Sequence, residues 1–195
     1  MNSAALPAPQ ASRNGRLMLA LIVGLLALPF AIAAGLYFGG WQPARGIQHG
    51  QLLQPPVPLP ASGLRTPTGQ MLASIELQGK WWLALSIDGP CSADCARRID
   101  EMRRIQVSLN KDMGRLRRLV LSPQTNDPEL LGARQRQPDL QTLQAPAGWL
   151  GGGNTAGHLH VIDPLGQRVI DYPPEVSARE IRTDLERLLK FAWTG

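Results

Sequence analysis

The chain has 195 residues, a formal charge of +5, few aromatics, 20 glycines and 17 prolines. That length suits one domain of ordinary size with extensions. Its arginines are scattered over helical patterns without interleaved aromatics, so nucleic acid is not an expected partner.

The first 16 residues carry Arg13 and Arg16, and no acidic residue occurs before Glu76. Residues 17–39 are uninterrupted by charge. As a helix they would rise about 34 Å, enough to span a bilayer. Pro29 is tolerated in such a helix, and Tyr37 and Trp41 fall where an interfacial aromatic belt belongs. Arg13 and Arg16 on one side against Arg45 on the other favour a cytoplasmic N-terminus. The competing reading is a signal peptide cleaved after the small-x-small Ala31-Ile32-Ala33, but the apolar run outlasts a usual signal core. The expectation is an uncleaved single-pass anchor in the inner (cytoplasmic) membrane, with the remainder periplasmic or otherwise extracytoplasmic. A thiol pair there can be oxidised.

Residues 40–67 are rich in Pro, Gly and Gln, and the run Gln54-Pro55-Pro56-Val57-Pro58-Leu59-Pro60 reads as an extended spacer. His49 falls in it and reads as a solvated linker histidine. The folded domain is expected over residues 68–195. Met71, Ala73, Ile75 and Leu77 alternate with polar residues, as in a half-buried strand. Residues 82–87 are apolar enough for a central strand, and Asp88-Gly89-Pro90 turns it. A helix follows over about residues 92–109, with Cys95, Ile99, Met102, Gln106 and Leu109 on one stripe. Arg97, Arg98, Arg103 and Arg104 lie largely off it, as a solvated face or a docking patch.

Residues 118–122 read as a strand, and Asp127-Pro128-Glu129 opens a helix with Asp as cap and Pro at the first helical position. Pro138 breaks or restarts that helix. The loop 145–157 contains three consecutive glycines, but without G-K-[ST] it is not a phosphate loop. Residues 157–163 read as a strand on which His158 and His160 share a side. Residues 168–172 return as its hairpin partner, and the Ser177/Glu180 capping box opens a last helix on Ile181, Leu185, Leu188 and Ala192. The order is β-β-α-β-α-β-β-α. One strand–helix–strand crossover is closed by a hairpin and a terminal helix.

Cys91 and Cys95 are the two cysteines of the chain, spaced C-x-x-x-C where the central strand gives way to the helix. A helix N-terminus favours a thiolate, which is both nucleophile and metal ligand. The spacing puts the sulfurs one turn apart on one face, able to close a disulfide or pinch one soft metal ion. A purely structural disulfide and two buried small hydrophobes are the alternatives. In a redox role Cys91, nearer the helix start, would attack and Cys95 would resolve.

The element order, with a dithiol at the tip of a central strand, resembles the thioredoxin fold, an α/β fold with a mixed sheet flanked by helices. More closely, the chain resembles the Sco/SenC family of membrane-anchored, thioredoxin-like proteins. Gly79-Lys80-Trp81-Trp82 is similar to that family's G-K-W entry, Cys91-Ser92-Ala93-Asp94-Cys95 to its C-x-x-x-C, and Ser122 through Glu129 to its S-x-D-P-x-x-D-[TS]-P-E stretch. Gly148-Trp149-Leu150 resembles its W-x-x-L-T-G loop, and residues 159–166 its Y-L-I-D-P-D-G turn. Ala96 stands where the family has a proline, and Thr155 where it has a histidine ligand; His158 and His160 are near but out of register. No proline precedes the His158 strand, unlike in thioredoxins.

The resemblance implies copper delivery or thiol maintenance in cytochrome c oxidase assembly. Cys91 and Cys95 would bind Cu(I), and His158 or His160 would supply an imidazole for Cu(II). An oxidase subunit or another assembly factor would be the partner. A metallochaperone is favoured over an enzyme, although thiol–disulfide oxidoreductase activity fits the same dithiol. A non-catalytic docking factor on the same fold is the alternative.

Overall fold

The structure is a computed structural model and describes residues 12–40, 48–150 and 157–192. The chain divides into two compact units, Met1–Gly46 and Ile47–Gly195.

The first unit holds one helix, α1 (Ser12–Phe38), with Pro29 inside it. Its segment Gly15–Phe38, 24 residues with a mean hydropathy of 2.6, is long and apolar enough to cross a membrane. Its large apolar side chains are exposed throughout. The residues of the aromatic and charge argument beyond it, Trp41 and Arg45, lie outside the described residues.

The second unit is built on an eight-stranded sheet: β1 (Gln51–Pro58), β2 (Leu64–Arg65), β3 (Met71–Leu72), β4 (Trp81–Ser86), β5 (Leu116–Ser122), β6 (Leu140–Gln144), β7 (Leu159–Ile162) and β8 (Gln167–Tyr172). The spatial order is β1-β8-β7-β4-β5-β6-β2-β3. β4, β5 and β6 run parallel, and every other pairing is antiparallel. Three helices complete the unit: α2 (Ala93–Ser108), α3 (Pro128–Arg136) and α4 (Ala178–Phe191). This is the expected thioredoxin-like mixed sheet flanked by helices.

β4 is uncharged and buried along its whole length between β5 and β7. Alternation divides its side chains between two cores. Leu83 and Leu85 pack with Ile99 and Met102 of α2, Leu130 of α3 and Ile181 and Leu185 of α4. Trp82 and Ala84 pack on the other side with Leu119, Ile162 and the irregular segments bearing Leu64, Leu77 and Trp149. Each fully buried Leu or Ile contributes roughly 1.5–3 kcal/mol. α4 has the expected capping box, with Ser177 accepting from the Glu180 N–H and Glu180 reaching back to Ser177.

One buried charged group on the helical side is fully engaged. Arg118 is 1% exposed on β5. Its Nε donates to Gln106 Oε1 at 2.6 Å, its Nη2 to Asp139 Oδ2 at 2.7 Å, and its Nη1 to Gln137. The guanidinium therefore ties α2 and the end of α3 to the sheet, and its hydrogen bond holds the Asp139 carboxyl below the usual carboxylate range.

Three expectations need correction. First, the described part of the expected spacer, residues 48–67, is not free. β1 pairs antiparallel with β8, Gln51 opposite Asp171 and Val57 opposite Arg168, and β2 pairs with β6. His49 is exposed, as expected, but it has a partner: its backbone N–H donates to Asp184 Oδ2 at 2.8 Å and its Nδ1 lies 3.2 Å from Asp184 Oδ1. Gly50 follows because a Cβ there would sit 2.5 Å from Ile170 Cγ2 and Tyr172 Cε1. Burial beside Asp184 pushes the Tyr172 hydroxyl up, so it remains a donor. Second, residues 71–77 are not one strand. Only Met71–Leu72 pairs, Ser74–Leu77 is a 3-10 turn, and Ile75 is exposed while Leu77 is buried. Third, the chain after Pro138 forms strand β6, which the sequence does not announce because its Leu-Gln-Thr-Leu-Gln pattern is short and half polar.

Candidate functional site

Beyond β4 the backbone continues the ladder for one residue, Ile87 N–H donating to Leu121 C=O at 3.0 Å, before Asp88-Gly89-Pro90 turns it. Cys91 follows, its backbone N–H donating to Asp127 Oδ2 at 3.1 Å. Ser92 is the N-cap of α2, and its side chain accepts from the Cys95 N–H at 3.4 Å. Cys91 thus lies just outside the helix and Cys95 in its first turn, where unpaired N–H groups collect.

The two cysteines form a disulfide, with Cα atoms 5.3 Å apart. Cys91 is 6% exposed and Cys95 9%, both packed on the helical side with Ile87 and Leu159. A cleft of about 910 Å³ opens beside them, with Leu85 and Ile87 at its base, Cys95 and Pro90 on one wall, and Pro174 and Val176 on the other. Cys95, not Cys91, lines it. The cleft is therefore lined by Cys95, the expected resolving sulfur, and not by Cys91, the expected attacker.

The arginines of α2 have different fates. Arg97 pairs with Asp94, both exposed. Arg98 is largely buried: its Nη1 donates to Glu101 Oε2 at 2.5 Å and to Val176 C=O at 3.4 Å, and its Nη2 to Pro173 C=O at 3.5 Å. It holds the segment that forms the far wall of the cleft, so it is not part of a solvated face. Arg104 remains exposed on the rim.

His158 and His160 come together with each other, their rings stacked 6.1 Å apart, but not with the dithiol. His160 stands opposite Ala84 on β4, and its neighbours in the strand, Leu159 and Val161, belong to the core that contains the cysteines. Alternation therefore places both histidines on the opposite side of the sheet. His160 is fully buried, with Nδ1 2.8 Å from Asp171 Oδ1 on β8 and no partner on Nε2. Burial pushes its pKa down and Asp171 opposes that shift. Among the described residues no group of three or more His, Cys, Asp or Glu side chains is arranged to hold a metal ion. Thr155 and the triple glycine lie outside the described residues.

Two residues of this region escaped the sequence reading. Asp127 was legible as a helix cap, but its contact with Cys91, 36 residues away, was not. Asp184 gave no local sign of its hold on His49.

Residues 81–192, more than half of the chain, match the family model of the transmembrane-like, thioredoxin-like, C-terminal domain. No curated protein matches the chain. Solved structures of similar fold include apo Sco1 from Thermus thermophilus, at 20% identity and a TM-score of 0.58 over 75% of this chain and 99% of that one. Yeast Sco1 with copper bound is 16% identical, with a TM-score of 0.55 over 70% of this chain and 94% of that one. BsSco, a member of the Sco family of cytochrome c oxidase assembly proteins in which a disulfide switch was identified, is 16% identical, with a TM-score of 0.50 over 73% of this chain and all of that one. These likenesses bear out the expected fold, and the family match, which begins at the strand leading to the dithiol, identifies the chain as a member of the transmembrane-like, thioredoxin-like, C-terminal domain family.

Proposed function

We propose that the chain is a membrane-anchored, Sco-like thiol–disulfide exchange protein that keeps the cysteines of a membrane client reduced, the client being a copper-centre subunit such as that of cytochrome c oxidase. Residues 1–16 face the cytoplasm, and the domain with its dithiol lies on the other, periplasmic side. The observation that carries this reading is the closed Cys91–Cys95 pair, of which Cys95 lines a large cleft. In the reduced protein the Cys95 thiolate attacks a client disulfide, and one client sulfur leaves as thiolate. Cys91 then attacks the Cys95 sulfur, closing the disulfide and releasing the second client thiolate. Turnover requires an external dithiol reductant. Cys91→Ser should trap a mixed disulfide through Cys95 in membranes; no adduct in that variant or in Cys95→Ser would sink the proposal.

A second reading, copper delivery, rests on the two sulfurs meeting at the start of α2, Cys91 just before its cap and Cys95 in its first turn. Once reduced, two thiolates fit a two-coordinate Cu(I) cargo, which prefers soft ligands. The donors suit Cu(I) better than Cu(II), since neither His158 nor His160 faces them. Anaerobic titration of the reduced chain tests this: Cu(I) binding no tighter than that of the double Cys-to-Ser variant would rule it out. A purely docking role would leave oxidase assembly normal when both cysteines are replaced.

A further inference from the structure

Asp127 uses its two carboxylate oxygens for two different tasks. Oδ1 accepts from the backbone N–H groups of Glu129 at 2.9 Å and Leu130 at 3.3 Å, capping α3. Oδ2 accepts from the backbone N–H of Cys91 at 3.1 Å. A carboxylate presents acceptors on both oxygens at once, whereas an amide or a hydroxyl offers one acceptor atom. Cys91 has no helical anchor of its own, because it precedes the Ser92 cap. The turn that carries it, Asp88-Gly89-Pro90, is fastened on one side by β4 and on the other by Asp127.

We infer that Asp127 is the positioning residue of the dithiol: it holds Cys91 against Cys95 through its backbone N–H and so sets the equilibrium between disulfide and dithiol. The inference rests on the reading of the pair as redox-active. With the hold in place, the reduced Cys91 stays near Cys95 and ring closure loses little freedom. Without it, the reduced Cys91 samples more conformations, and closing the ring becomes less favourable. The reaction that reads this is exchange with glutathione. The protein dithiol gives up two electrons and two protons to form the Cys91–Cys95 bond, and glutathione disulfide takes them up as its S–S bond breaks, yielding two glutathione thiols.

The experiment uses the full chain in detergent micelles, equilibrated with defined ratios of reduced and oxidised glutathione, and the disulfide fraction is read by thiol alkylation and mass. Asp127→Asn and Asp127→Ser each keep a cap for α3, since Asn and Ser are both good caps. Neither serves α3 and Cys91 together. Both variants should shift the equilibrium toward the dithiol by about tenfold, a change that corresponds to about 1.4 kcal/mol. Gly50→Ala, which strains the sheet where β1 begins, serves as a destabilised control and should stay within about twofold of the parent, well below one such tenfold step. Equilibria of both Asp127 variants within that range, or a Gly50→Ala shift as large as theirs, would overturn the inference. A missing client adduct with the shift intact would instead strike the proposed function and leave the role of Asp127 standing.

Discussion

Leu83 and Ala84 are neighbours on β4, yet they belong to different chemical environments. Leu83 faces the side covered by α2, α3 and α4, where the Cys91–Cys95 disulfide packs at the end of the same core. Ala84 faces the side covered by irregular segments, opposite His160. On the first side a turn and a helix start leave a cleft beside the sulfur of Cys95. On the second side His160 turns its Nδ1 to Asp171, and Arg168 lies 3.6 Å from the same carboxylate oxygen. The disulfide therefore sits where a strand ends against a helix N-terminus, while His160 and Arg168 lie within the ladder.

The largest test of that contrast removes the guanidinium that ties the helical side together. Arg118→Ala leaves buried Gln106 and Gln137 without their partner and opens a cavity, so unfolding in urea should show a loss of about 3–5 kcal/mol. A loss below about 1 kcal/mol, the value of an exposed ion pair, would mean the network is solvated rather than buried. On the other side, His160→Ala should lower stability by about 2–3 kcal/mol through lost packing and a stranded Asp171. The rate at which a small thiol reduces the Cys91–Cys95 bond should not change. A slowed or accelerated reduction in that variant would break the separation of the two sides.

Smaller effects sharpen it further. Gly50→Ala forces a methyl group onto Ile170 and Tyr172, both on the helical side, and should lower stability by about 1–3 kcal/mol in a thermal melt. The smallest effect is acid sensitivity. Burial depresses the pKa of folded His160 below its unfolded value of about 6.5, so the unfolded chain binds more protons as pH falls. Its contribution is complete above about pH 6.5 and declines below it, at no more than about 1.4 kcal/mol per pH unit. His160→Gln should flatten that part of the stability–pH curve, while an unchanged slope would assign the acid sensitivity to other groups.

Legibility followed the range of the interactions. β4, α2, α3, β7, β8 and α4 announce themselves through local pattern: an apolar run, a capping residue, a period of 3.6 or of 2. The strands that escaped, β1, β2 and β6, are short, half polar or proline-bearing, and they become strands because β8, β6 and β5, respectively, supply their hydrogen-bond partners. Of the candidate site, the cysteine pair was legible from its spacing together with its place between a strand and a helix. Asp127 was legible only as a cap, because its bond to Cys91 joins two loops that the parallel β4–β5 pairing brings together.

The amino-acid order by itself determined that a long charge-free apolar run precedes the domain, that two thiols stand at the start of a helix after a central strand, and that His158 and His160 share one side of their strand. These are consequences of periodicity and spacing along a few residues. Only the tertiary structure decided which side that is. A strand's alternation has two equivalent phases until a neighbour is added, and the pairing of Leu159 with Leu85 and His160 with Ala84 selects the phase that gives the apolar residues to the helical core. That choice turns the histidines away from the sulfurs and leaves the cysteines as a pair.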